Sequence, residues 1–510
     1  MEGATGLSEK FSEPAALRPY ANYRSVDTGL IRRVPAHWQL RLAKHVAKVT
    51  FSSVDKHTID GESPVRLCNY VDVYKHAMIR TGHPFMSASA TPEEIDRFSL
   101  RAGDVLLTKD SEAWNDIGVP ALIGEDLPGV LCGYHLAMLR PDPRAALGAY
   151  LYWALLAPSA AVQFHVAASG VTRYGLSKGD VKNVALPLPP LAEQAAIARY
   201  LGHFDAKVGR LLRAKRRLVA LLTEQKQAVI QQAVTRGLDP DVPLRDSGVP
   251  WLGAVPAHWS VRRLSEFAIS WCDGPFGSGL KSSHYVEGSG VRVVRLQNIG
   301  YGDFLPQSAV FVSPDHYLTL GDHSVVAGDV LIAGLGDARH SPGRACVAPL
   351  GLGEAMVKAD CFRFRMRTDQ VDAGFMALQL SATANIAGQV LASGATRQRV
   401  NLSTMASRQI ALPSVAEQGA IVRILKPQCK AVDDAVTQAL CEIDLIREYR
   451  TRLVADVVTG QLDVRDAAAG LPEIDALAEE AGWDAAGEDA GEDGALPDDA
   501  GEAEADDADD

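Results

Sequence analysis

Apolar side chains recur at alternating steps of four and three along two stretches of the chain. In the first, Phe204, Val208, Leu211, Lys215, Leu218, Leu222, Gln225, Val229 and Gln232 keep the pattern. In the second, Val432, Val436, Ala439, Ile443, Ile446, Arg450, Leu453 and Val457 keep it. Such steps mark the seam of a coiled coil. Each seam is one narrow stripe, so each helix needs a partner, and the economical partner is the other helix of the same chain. Gly202-His203 and Lys426-Pro427 fall at matching places and predict a joint in each block, because proline disrupts a helix interior. Each block then reads as a short helix from Glu193 or Glu417, a joint, and about 30 residues of long helix. That long piece spans roughly 45 Å at 1.5 Å per residue.

The two blocks are copies. Pro189-Pro190-Leu191-Ala192-Glu193-Gln194 returns 224 positions later as Pro413-Ser414-Val415-Ala416-Glu417-Gln418. Val234-Thr235 and Leu238-Asp239 return as Val458-Thr459 and Leu462-Asp463 at the same offset. Val34-Pro35-Ala36-His37-Trp38 also returns, as Val255-Pro256-Ala257-His258-Trp259. A period this long is not that of a solenoid, whose units run about 20–50 residues. It is a duplicated module.

Within each module the pattern is mixed. Val65 to Val73 alternates like a strand, and so does Val291 to Ile299. Thr91-Pro92-Glu93-Glu94 opens a helix with proline and acids in its first turn. Gly103-Asp104-Val105-Leu106-Leu107-Thr108 is a turn into a buried strand, with its counterpart at Gly328-Asp329-Val330-Leu331-Ile332. Ala145 to Gln163 reads as one helix. Each module is an α/β or α+β unit of about 150 residues.

Charge changes the picture at one end. Residues 466–510 hold 18 Asp or Glu and no Lys or Arg, so the net charge of −12 becomes +6 for residues 1–465. The body is mildly basic, and the acidic stretch cannot bury a core and is expected to be disordered. Seven cysteines are scattered singly, which argues against a disulfide framework or a zinc site and fits a reducing cytoplasm. Nothing approaches the roughly 18 apolar residues of a membrane span.

Catalytic signatures are missing: there is no GxxxxGK[ST] loop, no GxSxG elbow, no HExxH and no amino-methyltransferase motif. Isolated histidines such as His135 and His203 read as structural. Binding chemistry is present. Lys281, Ser282 and Ser278 lie in the glycine-rich run Asp273–Tyr285, and Arg295, Gln297 and Asn298 follow. Each module closes with a similar loop, Ser169-Gly170-Val171-Thr172-Arg173-Tyr174 and Ser393-Gly394-Ala395-Thr396-Arg397-Gln398-Arg399. Arg presents a planar fork to guanine, Gln or Asn pairs with adenine, and Lys or Ser holds phosphates.

These motifs, in this order and twice over, resemble the specificity subunit of a type I restriction–modification system from about residue 20 to 465. Thr108-Lys109-Asp110-Ser111 and Gly133-Tyr134-His135-Leu136 are also similar to a known class of target recognition domain, which adds Lys109 to the candidate DNA contacts. The resemblance implies two α/β target recognition domains in tandem, at 34–190 and 255–414. They would be separated and joined by two antiparallel coiled-coil spacers at 191–237 and 415–465, with pseudo-twofold internal symmetry. An N-terminal arm (1–33), a linker (238–254) and a disordered acidic tail (466–510) complete the expected domains. Implied partners are double-stranded DNA, two methyltransferase subunits and two restriction subunits in the cytoplasm, with no membrane. The chain itself would be non-catalytic and bind no cofactor. S-adenosylmethionine, ATP and Mg2+ would belong to the partners, and methylation would fall on adenine. A stand-alone DNA-binding regulator, a coiled-coil scaffold that never touches DNA, and an enzyme with a hidden site remain as alternatives.

Overall fold

The computed structural model describes residues 17–26, 31–337, 339–392 and 398–472. The chain divides into two compact units. The first comprises residues 1–216 and 441–510, the second residues 217–440. Both boundaries fall inside long helices, Leu191–Arg236 and Val415–Val458.

The first unit is built on a five-stranded sheet ordered Ala47–Phe51, Leu136–Pro141, Val105–Thr108, Pro120–Ile123, Met78–Ile79. Its pairings are antiparallel except the last, which is parallel. A second sheet pairs Ser63–Cys68 in parallel with Val130–Cys132 and antiparallel with Met86–Ala90. The second unit follows the same plan. Ala268–Cys272, Cys361–Met366, Val330–Ala333 and Ala345–Val347 form one antiparallel sheet. Val291–Val294 pairs in parallel with Ala355–Val357 in the other. Val105–Thr108 and Val330–Ala333 are buried at every position, which is why Val105–Leu107 and Val330–Ala333 read as unbroken apolar runs. The fold is mixed α/β.

The repeated motifs meet in space. In the first unit Glu193 is 8% exposed and accepts from Trp38 Nε1 at 2.8 Å and Tyr20 Oη at 3.1 Å, while His37 Nε2 lies 2.7 Å away. In the second unit Glu417 accepts from Trp259 Nε1 at 3.0 Å, with His258 Nε2 at 3.0 Å. The adjacent glutamines do matching work. Gln194 accepts from Leu147 N and donates to Ala145 O and Pro189 O. Gln418 accepts from Asp372 N and donates to Gln370 O and Pro413 O. The Glu-Gln pair at each helix entry is therefore a lock that fixes the helix start against its own unit.

The long helices differ from expectation in two ways. Neither is jointed: Leu191–Arg236 and Val415–Val458 run through Gly202 and Pro427. Glycine costs a helix only about 1 kcal/mol. Pro427 is exposed, so the Arg423 carbonyl that loses its N–H partner faces water. The proline still removes a hydrogen bond, and Pro427→Ala should raise the urea midpoint of unfolding by the equivalent of about 1–3 kcal/mol. An unchanged midpoint would mean that water fully replaces that bond.

The second difference is in the apolar stripe. In the second helix Ala439, Ile443, Ile446, Leu453 and Val457 are buried where the pattern placed them. In the first, Leu218 and Val229 are 43% and 38% exposed, whereas Ile230 and Ala233 are buried. The stripe slips by one residue because a straight helix turns every 3.6 residues, and a 3.5 repeat drifts about 20° per heptad. The two helices run antiparallel within each unit. Lys215 pairs with Glu442 and Asp205 with Arg450 in the first, and Lys226 Nζ lies 2.7 Å from Asp433 Oδ1 in the second.

Other local signals were overridden. Ala145–Gln163 is two helices, Gly148–Leu156 and Pro158–Ala167, broken at Pro158. The run from Val65 ends as a strand at Cys68, and Asn69 then caps helix Tyr70–Lys75 together with Asp72. The described part of the N-terminal arm is tied down. Tyr23–Ser25 pairs with Arg33–Pro35 as Leu244–Asp246 pairs with Ala254–Pro256 in the second unit. Asp463 N donates to Arg18 O at 2.8 Å, and Tyr23 Oη to Gly460 O at 3.0 Å. A stretch continuous in the second unit is thus assembled in the first from both ends of the described chain. The first residues of the expected disordered tail are ordered: Arg465–Ala469 is helical with Ala468 buried in the core, while the rest of that expectation, from 473 onward, lies outside the described residues.

Candidate nucleic-acid interface

In the first unit the strand Val105–Thr108 leaves the sheet into Asp110–Ser111, which pairs antiparallel with Tyr174–Gly175. Leu176 N donates to Lys109 O at 2.8 Å, and Ser169 and Gly175 exchange backbone hydrogen bonds at 2.9 and 3.2 Å. Gly170 has φ of 146°, and a methyl there would meet Arg173 O at 1.9 Å. That tight closure leaves Val171, Thr172 and Arg173 exposed at the tip, with Tyr174 half-buried behind them.

Lys109 is placed differently from a surface contact. Its side chain is 13% exposed, its Nζ lies 3.3 Å from Asp110 Oδ2 and 4.6 Å from the Tyr134 ring centre. It supports a cluster more than it reaches outward. His135 Nδ1 lies 2.8 Å from the same Asp110 oxygen, and the Tyr134 ring, half-exposed, stands edge-on to His135. Tyr70 and Tyr74 stack at 5.5 Å, and Tyr74 Oη donates to Asp116 at 2.8 Å. Burial, then the Asp116 hydrogen bond and charge, push the Tyr74 hydroxyl up to about 12, so it stays a donor.

The second unit repeats this closure. Leu335 bridges Arg399 as Asp110 pairs with Gly175, and Gly336 N donates to Gln398 O at 2.9 Å. Gln398 is exposed. Arg399 Nε donates to Asp360 Oδ1 at 2.8 Å, and its guanidinium lies 5.4 Å over the Phe276 ring. This contact brings the glycine-rich run against the closing loop. Gly274 packs so closely on residues 357–358 that a Cβ would lie 2.1 Å from Lys358 C. Beside it, burial pushes the Asp273 carboxyl up to about 6; the Gly274 N–H bond opposes this and the Asp360 charge adds to it. Thr396 and Arg397 lie outside the described residues, as does the Ser278 side chain.

The remaining candidates divide. Lys281 and Ser282 are exposed on a turn where Lys281 N donates to His284 Nδ1 at 3.2 Å. Arg295 and Gln297 are half-exposed, and Arg295 Nη2 donates to Ser308 O at 2.7 Å. Asn298 is 1% exposed: its Oδ1 accepts from Arg295 N, and its Nδ2 donates to Leu305 O and Gln307 O. Its amide shapes the turn and leaves the predicted strand to end at Val294. Sequence reasoning passed over Arg344. It is buried, and its guanidinium donates to Ile299 O, Leu296 O, Leu335 O and Ser341 O at 2.9–3.3 Å. It ties the turn after Arg295 to the loop that meets Gln398. Among the described residues no group of three or more His, Cys, Asp or Glu could hold a metal ion, and no helix is long and apolar enough to cross a membrane.

Comparison with known proteins places this arrangement. The family described as type I restriction modification DNA specificity domain matches residues 65–217. A putative type I restriction enzyme MjaX specificity subunit of Methanocaldococcus jannaschii is 24% identical, over 87% of this chain and 97% of its own. The type I restriction enzyme MjaVIII specificity subunit of the same organism is 22% identical, over 62% of this chain and 71% of its own. A chain solved in work on complex assembly and conformational transition of the type I R-M system shares the fold, with a TM-score of 0.59 and 18% identity. It covers 84% of this chain and 99% of its own length. Residues 65–217 thus match the type I restriction modification DNA specificity domain, and the chain is similar over most of its length to type I restriction enzyme specificity subunits.

Proposed function

We propose that this chain is the DNA-recognition subunit of a type I restriction–modification complex and that each unit reads one half of a bipartite site. The observation that carries this reading is the repeated closure: in both units the last loop of the module is bonded to the turn that leaves the buried strand, at Asp110–Gly175 and Leu335–Arg399. Two equivalent loop clusters on one chain suit two half-sites. Target recognition domains at 34–190 and 255–414 carry the contacts, joined by the linker 238–254. Thr172, Arg173 and Tyr174 serve the first half, and Lys281, Ser282, Arg295, Gln297 and Gln398–Arg399 the second, with Thr396, Arg397 and Ser278 beside them.

The chain positions and does not catalyse. Two methyltransferase subunits would bring S-adenosylmethionine and methylate adenine. Two restriction subunits would bring ATP and Mg2+, in the cytoplasm. The helices at 191–237 and 415–465 act as an antiparallel coiled-coil spacer that fixes the gap between half-sites.

The test follows from the ion pairs. Lys215–Glu442 and Lys226–Asp433 bracket a stretch of both helices. Four residues inserted after Leu222 and four after Val436 keep both pairs and leave each stripe nearly in phase, one turn being about 3.6 residues. The spacer grows by about 6 Å, close to two base pairs at roughly 3.4 Å each. Mapping methylated adenines in cells carrying this variant and its methyltransferase partner should give the same half-sites with a gap wider by one or two base pairs. An unchanged gap at full activity would remove the spacer role.

A further inference from the structure

We propose that His135 reads a base edge in the half-site of the first unit, and His340 one in that of the second, each held in register by an aspartate. The proposal rests on the DNA-recognition reading above. His135 lies 25 residues from Asp110 in sequence, yet its Nδ1 is 2.8 Å from Asp110 Oδ2, on the strand that pairs with the closing loop. Its side chain is 42% exposed. In the second unit the loop leaving Val330–Ala333 carries Asp337 and His340, with His340 Nδ1 at 3.0 and 3.1 Å from the two carboxylate oxygens and its side chain 43% exposed. The same place in both units thus carries an exposed histidine bonded to a carboxylate, although the two histidines come from different stretches of chain.

The chemistry favours a base over a phosphate. A carboxylate within hydrogen-bond reach repels a phosphate oxygen, and in the first unit Lys109 is mostly buried and paired with Asp110. An ionised carboxylate only accepts, so Nδ1 carries the hydrogen, and Nε2 accepts in the neutral ring and donates in the protonated one. Along a major groove an acceptor suits the amino group of adenine or cytosine. Tyr134, edge-on at 5.0 Å, walls one side of the ring and limits its swing.

Phosphate contacts and base contacts separate experimentally. Losing a phosphate contact weakens all sequences alike and lowers the salt slope by about one, whereas losing a base reader relaxes one position. The full chain with its methyltransferase partner is assayed against libraries varied in both half-sites, at several salt concentrations. His135→Gln should relax preference about 10-fold at one base pair of one half-site, and His340→Gln at one base pair of the other, with the salt slope unchanged. Asp110→Asn, which frees the ring without removing it, should relax the same base pair as His135→Gln by less. A lower salt slope with preference kept would make these phosphate contacts, and wild-type preference and slope in all three variants would put both histidines off the DNA. If the wild-type complex itself showed no bipartite preference, the DNA-recognition reading would fall, and this proposal with it.

Discussion

Glu193→Ala should destabilise the first unit by about 3 kcal/mol, among the largest effects of any single polar substitution in the chain. The carboxylate is 8% exposed and accepts from Trp38 Nε1 and Tyr20 Oη, with His37 Nε2 at 2.7 Å and Arg465 Nη1 at 3.7 Å. Burial, then the Glu193 charge, raise the Tyr20 hydroxyl pKa, so it remains a donor, and its hydrogen bond goes to Glu193. Removing the carboxylate strands buried donors, each costing about 1–3 kcal/mol, more where a charge was involved. Glu417 offers the internal comparison. Its side chain is 30% exposed and His258 is 53% exposed, so water replaces what Glu417→Ala removes, and the loss there should be about 1 kcal/mol. Glu193→Gln keeps an acceptor for the Trp38 N–H and should fall between the two. Urea unfolding of the full chain, followed by circular dichroism, ranks the three. Equal losses for Glu193→Ala and Glu417→Ala would mean that the buried lock is no stronger than the exposed one.

What the sequence made legible follows from the range of the interaction. Thr91 caps Pro92–Phe98 through Glu94, and the signal is complete within four residues. The buried strands Val105–Thr108 and Val330–Ala333 announce themselves because every residue in them is covered and all but Thr108 are apolar. The duplication was legible because it is a matter of residue identity, but the reason for it was not. Nothing local says that His37-Trp38 will meet Glu193, 155 residues on, or that Arg18 will meet Asp463. Past Lys215 the buried stripe of the first helix departs by one residue from a 3.5-residue seam because the helix keeps nearer 3.6 residues per turn. Candidate contacts fared by the same rule. The closing loop at 169–175 was visible from its repeat at 393–399. Asn298, by contrast, has the chemistry of a base reader and spends it on its own turn. His135 has the look of a lone structural histidine until Asp110 is brought beside it.

Gly274→Ala should abolish recognition of one half-site and spare the other. Its added methyl would lie 2.1 Å from Lys358 C, 2.4 Å from Lys358 O and 2.4 Å from Val357 O. These are backbone atoms, and Lys358 N is itself bonded to Val294 O at 2.9 Å, closing the parallel pair of Val291–Val294 with Ala355–Val357. The sheet end cannot give, so the loop must. Moving residues 273–276 carries Phe276 from beneath the Arg399 guanidinium, whose Nε is bonded to Asp360. Overpacking of this kind costs about 1–3 kcal/mol, and a misplaced loop adds the lost contacts, so binding through the second unit should fall at least about 100-fold, which corresponds to roughly 2.7 kcal/mol. Gly279→Ala is the control, because a Cβ there would meet only Pro275 Cβ at 3.6 Å and Leu320 Cδ2 at 3.7 Å, ordinary contact. Binding of the full complex to duplexes altered in one half-site at a time reads the result. Gly274→Ala should lose discrimination in a single half, the same half relaxed by His340→Gln, and Gly279→Ala should match wild type. If Gly274→Ala kept both preferences, the glycine-rich run would lie away from the DNA, and the second half-site would be read by the closing loop without it.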